Sequence, residues 1–268
     1  MIYLLRFIRD ARRVPRRYGR SISNEGVTLE EIAFEADFAD QVEPLLVDLY
    51  ETAVAGINEP LPADEESLAA QLFGLIIGSA AALALLALLR EMLLKAYEIG
   101  GAMALAEMGI DGEFALTDQS TIDRINAYAS EVLETLAVTT ANDVAKQVDN
   151  GRKNGLGMAA ILAVLATFIE LRAAFRAFLI AQNESVSGSR WGMEDAYRRN
   201  GIIEVEFNTQ RDGNVDNGDP LGPCAIQDGR IFDIWNIPQE IPLHFGCRCY
   251  YVPILLGWTL PIVVWRGQ

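Results

Sequence analysis

At 268 residues, 51% of them apolar and with a net charge of −15, the chain has room for two domains and a sizeable core. That acidic balance excludes a protein that coats nucleic acid with its whole surface. Three cysteines are too few for a disulfide scaffold, and their odd number favours a reducing compartment or a metal site.

The charge is lopsided. Arg6, Arg9, Arg12, Arg13, Arg16, Arg17 and Arg20 stand against Asp10 alone in residues 1–20, so that segment is +6 and the remainder −21. Arginines interrupt its apolar stretch and no small-residue cleavage site follows, so it does not read as a secretory signal. It reads as a basic amphipathic arm broken at Pro15: a solvated tail, or a segment that touches phosphate or an acidic partner surface.

Residues 21–58 carry an apolar-periodic run through Ile32, Phe34, Phe38, Val42, Leu45, Leu46 and Leu49, which predicts one amphipathic helix with a bend near Pro44. A Pro-rich loop follows. Asp64 then starts a helix, with Glu65 and Glu66 in the first turn where the helix dipole favours them. Ser67 to Leu89 holds 23 residues without a charge, long enough to be a transmembrane candidate. Gln71, Gly74, Gly78 and Ser79 interrupt it, no aromatic belt flanks it, and the helical pattern runs on through Arg90 and Lys95. Those features favour a helix buried in a bundle or at a subunit contact.

Gly109 marks a helix stop. Thr117 or Asp118 caps a helix over 120–136, and Thr139-Thr140 caps another that runs to Gly151. Residues 156–181 form a further apolar helix, and 185–200 is polar but still helical. Ile202 to Phe207 alternates like a strand, Arg230-Ile231-Phe232 follows a tight Asp228-Gly229 turn, and Tyr250 to Ile254 reads as a third strand. The fold class is therefore α+β, mainly long helices in the first two-thirds and a small α+β unit after them. The expected divisions are a basic arm over 1–25, a helical domain over 26–182, the α+β domain over 183–254 and an apolar tail over 255–268.

All three cysteines and the only histidine fall within 224–249. Cys224, His244, Cys247 and Cys249 supply four soft ligands, the number a closed structural zinc site takes. Cys247 and Cys249 point to one side of an extended segment, so both can reach one ion. Reduced core thiols and a disulfide from Cys224 are the other readings. An Asp212/Asp216/Asp219 loop lacks the spacing of a calcium loop. Walker A, GxGxxG, GxSxG and HExxH signatures are absent, and a Cys–His nucleophile would need an orienting third group, so no enzyme is expected.

The closing segment resembles a known family. Ile241-Pro242-Leu243-His244-Phe245-Gly246-Cys247-Arg248-Cys249 is similar to the Pro-Pro-Leu-His-Pro-x-Cys-Arg-Cys motif of the phage Mu F-like, or SPP1-type, minor head proteins. Cys224 to Gly229 matches the second half of that family's middle motif, with Leu221 in place of its first cysteine and Phe245 in place of a proline. Gln182-Asn183-Glu184 stands where an Arg-Thr-Glu-like start occurs, and Ala96 to Gly100 and Phe114 to Asp118 look like its upstream part. The resemblance covers roughly residues 90–253.

It implies a structural minor head protein of a tailed bacteriophage, sited in the virion and in the host cytoplasm during assembly. Its implied partners are the portal or major capsid protein, in multiple copies, with packaged DNA reached through the arm by phosphate contacts. The implied role is head assembly or genome packaging and delivery. A membrane-inserting protein using residues 67–89, and a hydrolase or toxin using the Cys/His cluster, are the alternatives.

Overall fold

The protein, a computed structural model, is described over residues 29–57, 61–62, 64–209, 222–237, 241–243 and 247–255. The arginines of the basic arm, His244 and the tail beyond Leu255 lie outside the described residues. Within them the chain is α+β. Five helices come first: α1 (Leu29–Ala55), α2 (Glu65–Ile77), α3 (Ala80–Glu107), α4 (Gln119–Lys153) and α5 (Met158–Arg199). A small antiparallel sheet follows, with strands β1 (Glu204–Asn208), β2 (Ile231–Asp233) and β3 (Tyr250–Pro253) in the order β2-β1-β3.

The helix starts follow the capping chemistry of the sequence. Asp64 accepts from Ser67 N–H at 2.7 Å and Asp118 accepts from Ser120 N–H at 3.1 Å. Gly109 closes α3 with φ +68°, a conformation that glycine adopts at low cost. The uncharged 67–89 stretch is not one rod. It breaks between α2 and α3, which meet at 66°. Ser79 starts the new helix by accepting from Ala82 N–H at 3.1 Å.

Thr139 and Thr140 cap nothing, contrary to expectation, because α4 runs through them unbroken. Thr139 Oγ1 donates back to Thr135 O at 2.8 Å, leaving the helix ladder intact. Both threonines instead accept from Arg176, whose Nη1 donates to Thr140 Oγ1 at 2.9 Å. Arg176 also donates to Tyr50 Oη at 2.8 Å, and Tyr50 donates to Asp143 at 2.9 Å. This buried polar knot ties α1, α4 and α5 together inside an otherwise apolar bundle.

α5 spans the whole molecule, so residue 182 falls inside one continuous helix. What changes along it is burial. Over 158–175 only Ile161, Leu165, Ile169 and Ala173 are buried, one narrow stripe at four-residue spacing. From Ile180 to Glu194 every residue is buried, including the polar Gln182, Asn183, Glu184, Ser185, Ser187, Ser189 and Arg190. Two cores meet along this segment. The larger fills the bundle from Phe38 to Trp191, and the smaller joins Ala104, Val186, Met193 and Tyr197 to Val205, Phe207 and Tyr251 of the sheet.

Small residues let α3 and α5 approach closely enough to bury that polar run. A Cβ at Gly100 would lie 1.9 Å from Ser189 O, and one at Gly192 would lie 1.9 Å from Tyr97 O. Trp191 packs edge-on to Tyr128 with ring centroids 4.9 Å apart, and Arg124 lies 4.4 Å over the Trp191 ring.

Glu184 is the costly member of the run. Its Oε2 is buried with no hydrogen-bond partner among the described residues. Burial raises its carboxyl to about 7, against the opposing effect of a Tyr128 hydrogen bond. The folded state thus binds this proton more tightly than the unfolded chain does. Stability from the group is full below pH ~4.5 and is lost as pH rises through about 7, a difference on the order of 3 kcal/mol. Glu184→Gln is therefore expected to raise stability at pH 8 and leave it unchanged at pH 4. Urea unfolding at the two pH values checks this; an equal gain at both would reject the burial argument.

Candidate metal centre

The sheet and the preceding loop bring the cysteines together. Cys224 sits just before a 3₁₀ turn, Ala225–Gln227, and Asp228-Gly229 reverses the chain into β2. Gly229 has φ +73°, and its N–H donates to Phe207 O at 2.8 Å, which fixes the turn against β1. β3 then pairs with β1 in the register Phe207↔Tyr251. That pairing holds Cys247 and Cys249, in the extended segment leading into β3, beneath the sheet.

Cys224, Cys247 and Cys249 are free thiols, all buried, with sulfurs mutually within 4.8 Å. Cys224 Sγ lies 3.6 Å from Cys247 Sγ. Two thiolates bound tetrahedrally to one zinc, each at about 2.3 Å, stand about 3.8 Å apart. The described donor set therefore fits a dication such as zinc and could hold one. Hydrogen bonding among the thiols pushes Cys224 up and holds Cys247 below the ordinary thiol range. No disulfide joins Cys224 to either partner. Of the four ligands read from the sequence, the fold assembles three; His244 lies outside the described residues.

Three residues that sequence reasoning did not single out surround the centre. Arg190, 2% exposed, donates from Nε to Cys249 O at 2.8 Å, and its guanidinium stands 5.4 Å over the Tyr250 ring. Arg248, between the two cysteines, points the other way by strand alternation. It grips Glu35 of α1 with both Nη atoms, at 3.0 and 2.5 Å, and both side chains are nearly buried. The Cys-Arg-Cys segment thus touches the sheet, α5 and α1 at once. Tyr251 closes the interior side, edge-on to Phe207 at 5.6 Å, and Tyr197 donates to its carbonyl at 3.2 Å.

The signal for Arg190 was present but unreadable. It lies in a polar run that looks solvated until the glycine-lined α3–α5 crossing buries it. Glu35 sits on a helix where Asp37, Asp40, Asp48 and Glu51 are exposed, so nothing in its spacing distinguishes it. Comparisons with known protein families, with curated proteins and with solved structures find no match.

Proposed function

We propose that this chain is a structural minor head protein of a tailed bacteriophage, placed in the virion at the portal or capsid interior and present there in several copies. It acts in head assembly or in genome packaging and delivery. Its work is contact with other proteins, with a structural zinc held by Cys224, Cys247, Cys249 and His244 setting the shape of the C-terminal unit. The arginine arm meets portal carboxylates or DNA phosphates.

The observation that carries this reading is the position of the Cys-Arg-Cys segment. The motif resembling the head-protein family is the joint at which both cores and the first helix are tied, through Cys247, Arg248 and Cys249. A second feature agrees with it. The first half of α5 leaves Ala159, Ala160, Leu162, Ala163 and Val164 exposed, and Leu75 and Leu83 stand 44% and 64% exposed near the α2–α3 corner. Apolar faces of this kind are what an assembly covers.

A membrane-inserting protein is the second reading. Its support is that α5 is long and apolar enough to cross a bilayer by length and composition, and that α2 and α3, which carry residues 67–89, pass the same test together as a pair bent by 66°. The buried polar run over 182–194 limits such a span to the first half of α5. Co-expression with the products of neighbouring genes tests the two readings. The expected outcome is co-purification with a ring-forming portal-like protein. Recovery of the chain alone in the membrane fraction would overturn the head-protein reading in favour of the second.

A further inference from the structure

Arg190 poses a charge problem that the described side chains leave open. It is 2% exposed, and a buried guanidinium is costly without an anion near it. No carboxylate pairs with it among the described residues. Glu35 is paired with Arg248 and, at 3.3 Å, Glu194 with Arg198, while Glu107 accepts from Tyr197. Arg190, Arg248 and Glu35 line one small cavity of about 10 Å³ between α1, α3 and α5. The one carboxylate in that lining, Glu35, is held by Arg248 and not by Arg190. The other polar contacts of Arg190 are neutral: Cys249 O at 2.8 Å and Met193 Sδ at 2.8 Å. Among the described residues, the thiol cluster lies directly beyond the Cys249 carbonyl that Arg190 holds, and it can carry negative charge.

We infer that the cluster is an anionic metal centre of net charge −1, three thiolates on a divalent cation with a neutral fourth ligand, and that Arg190 is its buried counter-charge. The inference rests on the metal reading above and deepens it. A fourth thiolate or a carboxylate would take the centre to −2, one charge more than Arg190 balances. An imidazole such as that of His244, or a water, leaves it at −1. Arg190 is a positioning residue: it holds the Cys249 carbonyl while its charge offsets the thiolates, as outer-shell partners of metal sites do.

Cobalt(II) alone is the probe, titrated into the full-length chain after chelator treatment, with zinc competition to obtain affinities. The wild-type chain is expected to bind one cobalt per chain, with the thiolate-to-cobalt absorption of three sulfurs. Arg190→Met is expected to keep that spectrum and weaken binding by about 10- to 100-fold. Arg190→Lys, which keeps the charge, is expected to recover most of the loss. Arg190→Gln, which removes the charge but keeps a donor for the Cys249 carbonyl, is expected to weaken binding as much as Arg190→Met and carries the test if Arg190→Met does not fold.

Equal affinity of Arg190→Met and wild type would overturn the inference. So would Arg190→Lys as weak as Arg190→Met. A wild-type chain that binds no cobalt would instead overturn the metal reading beneath it.

Discussion

Gly192→Ala is expected to cost about 4 kcal/mol or more, a loss reached only when a mutation breaks a packing constraint outright. The added Cβ would fall 1.9 Å from Tyr97 O and 2.8 Å from Gly101 N. Those are backbone atoms of α3, so no rotamer change relieves the clash. The helices must separate by more than 1 Å along their crossing, roughly the gap between that clash and an ordinary van der Waals contact. Separation then opens space around Leu93, Tyr97 and Ala104, and cavity cost adds to strain. It also wets the polar run of α5, whose burial depends on the close approach. Gly74→Ala is the matched control. Nothing lies within 4 Å of its added Cβ, and in a helix interior alanine is better than glycine by about 0.5–1 kcal/mol. Urea midpoints of the two variants check the pair. A loss below about 1 kcal/mol in Gly192→Ala would mean the crossing is looser than these distances say.

With a metal on the cysteine cluster, stripping it is expected to loosen the sheet unit and to leave the bundle around Tyr50, Asp143 and Arg176 folded. Structural zinc in small domains supplies about 10–16 kcal/mol of apparent binding energy, which the folding of those domains depends on. Here the smaller core has apolar members of its own, Val205, Phe207, Ile234 and Tyr251, so part of its order survives. Removing an ion bound by the three buried thiols, which lie within 4.8 Å of one another, is expected to loosen the segment leading into β3. Through Arg248 the effect reaches Glu35 and the first turns of α1. A lone buried charge left by that loosening costs about 3–5 kcal/mol, which drives further opening. Amide hydrogens over 204–208, 250–253 and the start of α1 should exchange faster after chelation. Those around Tyr50, Asp143 and Arg176 should not change. Cys224→Ser should reproduce the pattern without chelator, and identical exchange with and without metal would contradict it.

Helix existence and strand placement were legible because they rest on local chemistry. Asp64 and Asp118 cap through their own side chains, Gly109 and Gly229 take positive φ where turns are needed, and the Ile202–Phe207 alternation becomes β1 with Val205 and Phe207 buried. What the sequence hid depends on long-range packing. Thr139 and Thr140 look like a cap because threonine competes with the backbone; their actual role, accepting from Arg176, needs a residue 36 or 37 positions away. The uncharged 67–89 run gives no hint of its 66° corner beyond Gly78-Ser79, a pair that also occurs inside straight apolar helices. The polar run over 182–194 looks solvated because polarity normally means exposure; the glycines that bury it act only once α3 is alongside. At the candidate metal centre the grouping of Cys224, Cys247 and Cys249 was readable from their clustering in the sequence, whereas Arg190, Glu35 and Arg248 were not, since each is defined by what it meets across the fold.

Metal content of the full-length chain, purified without added metal and measured by elemental analysis, tests the central claim most directly. The account predicts about one zinc per chain in the wild type and none in Cys224→Ser or Cys249→Ser. A wild-type chain that is folded, free of metal and carrying three thiols that all react with a thiol reagent on unfolding would contradict it, and would leave the cysteines as ordinary members of the small core.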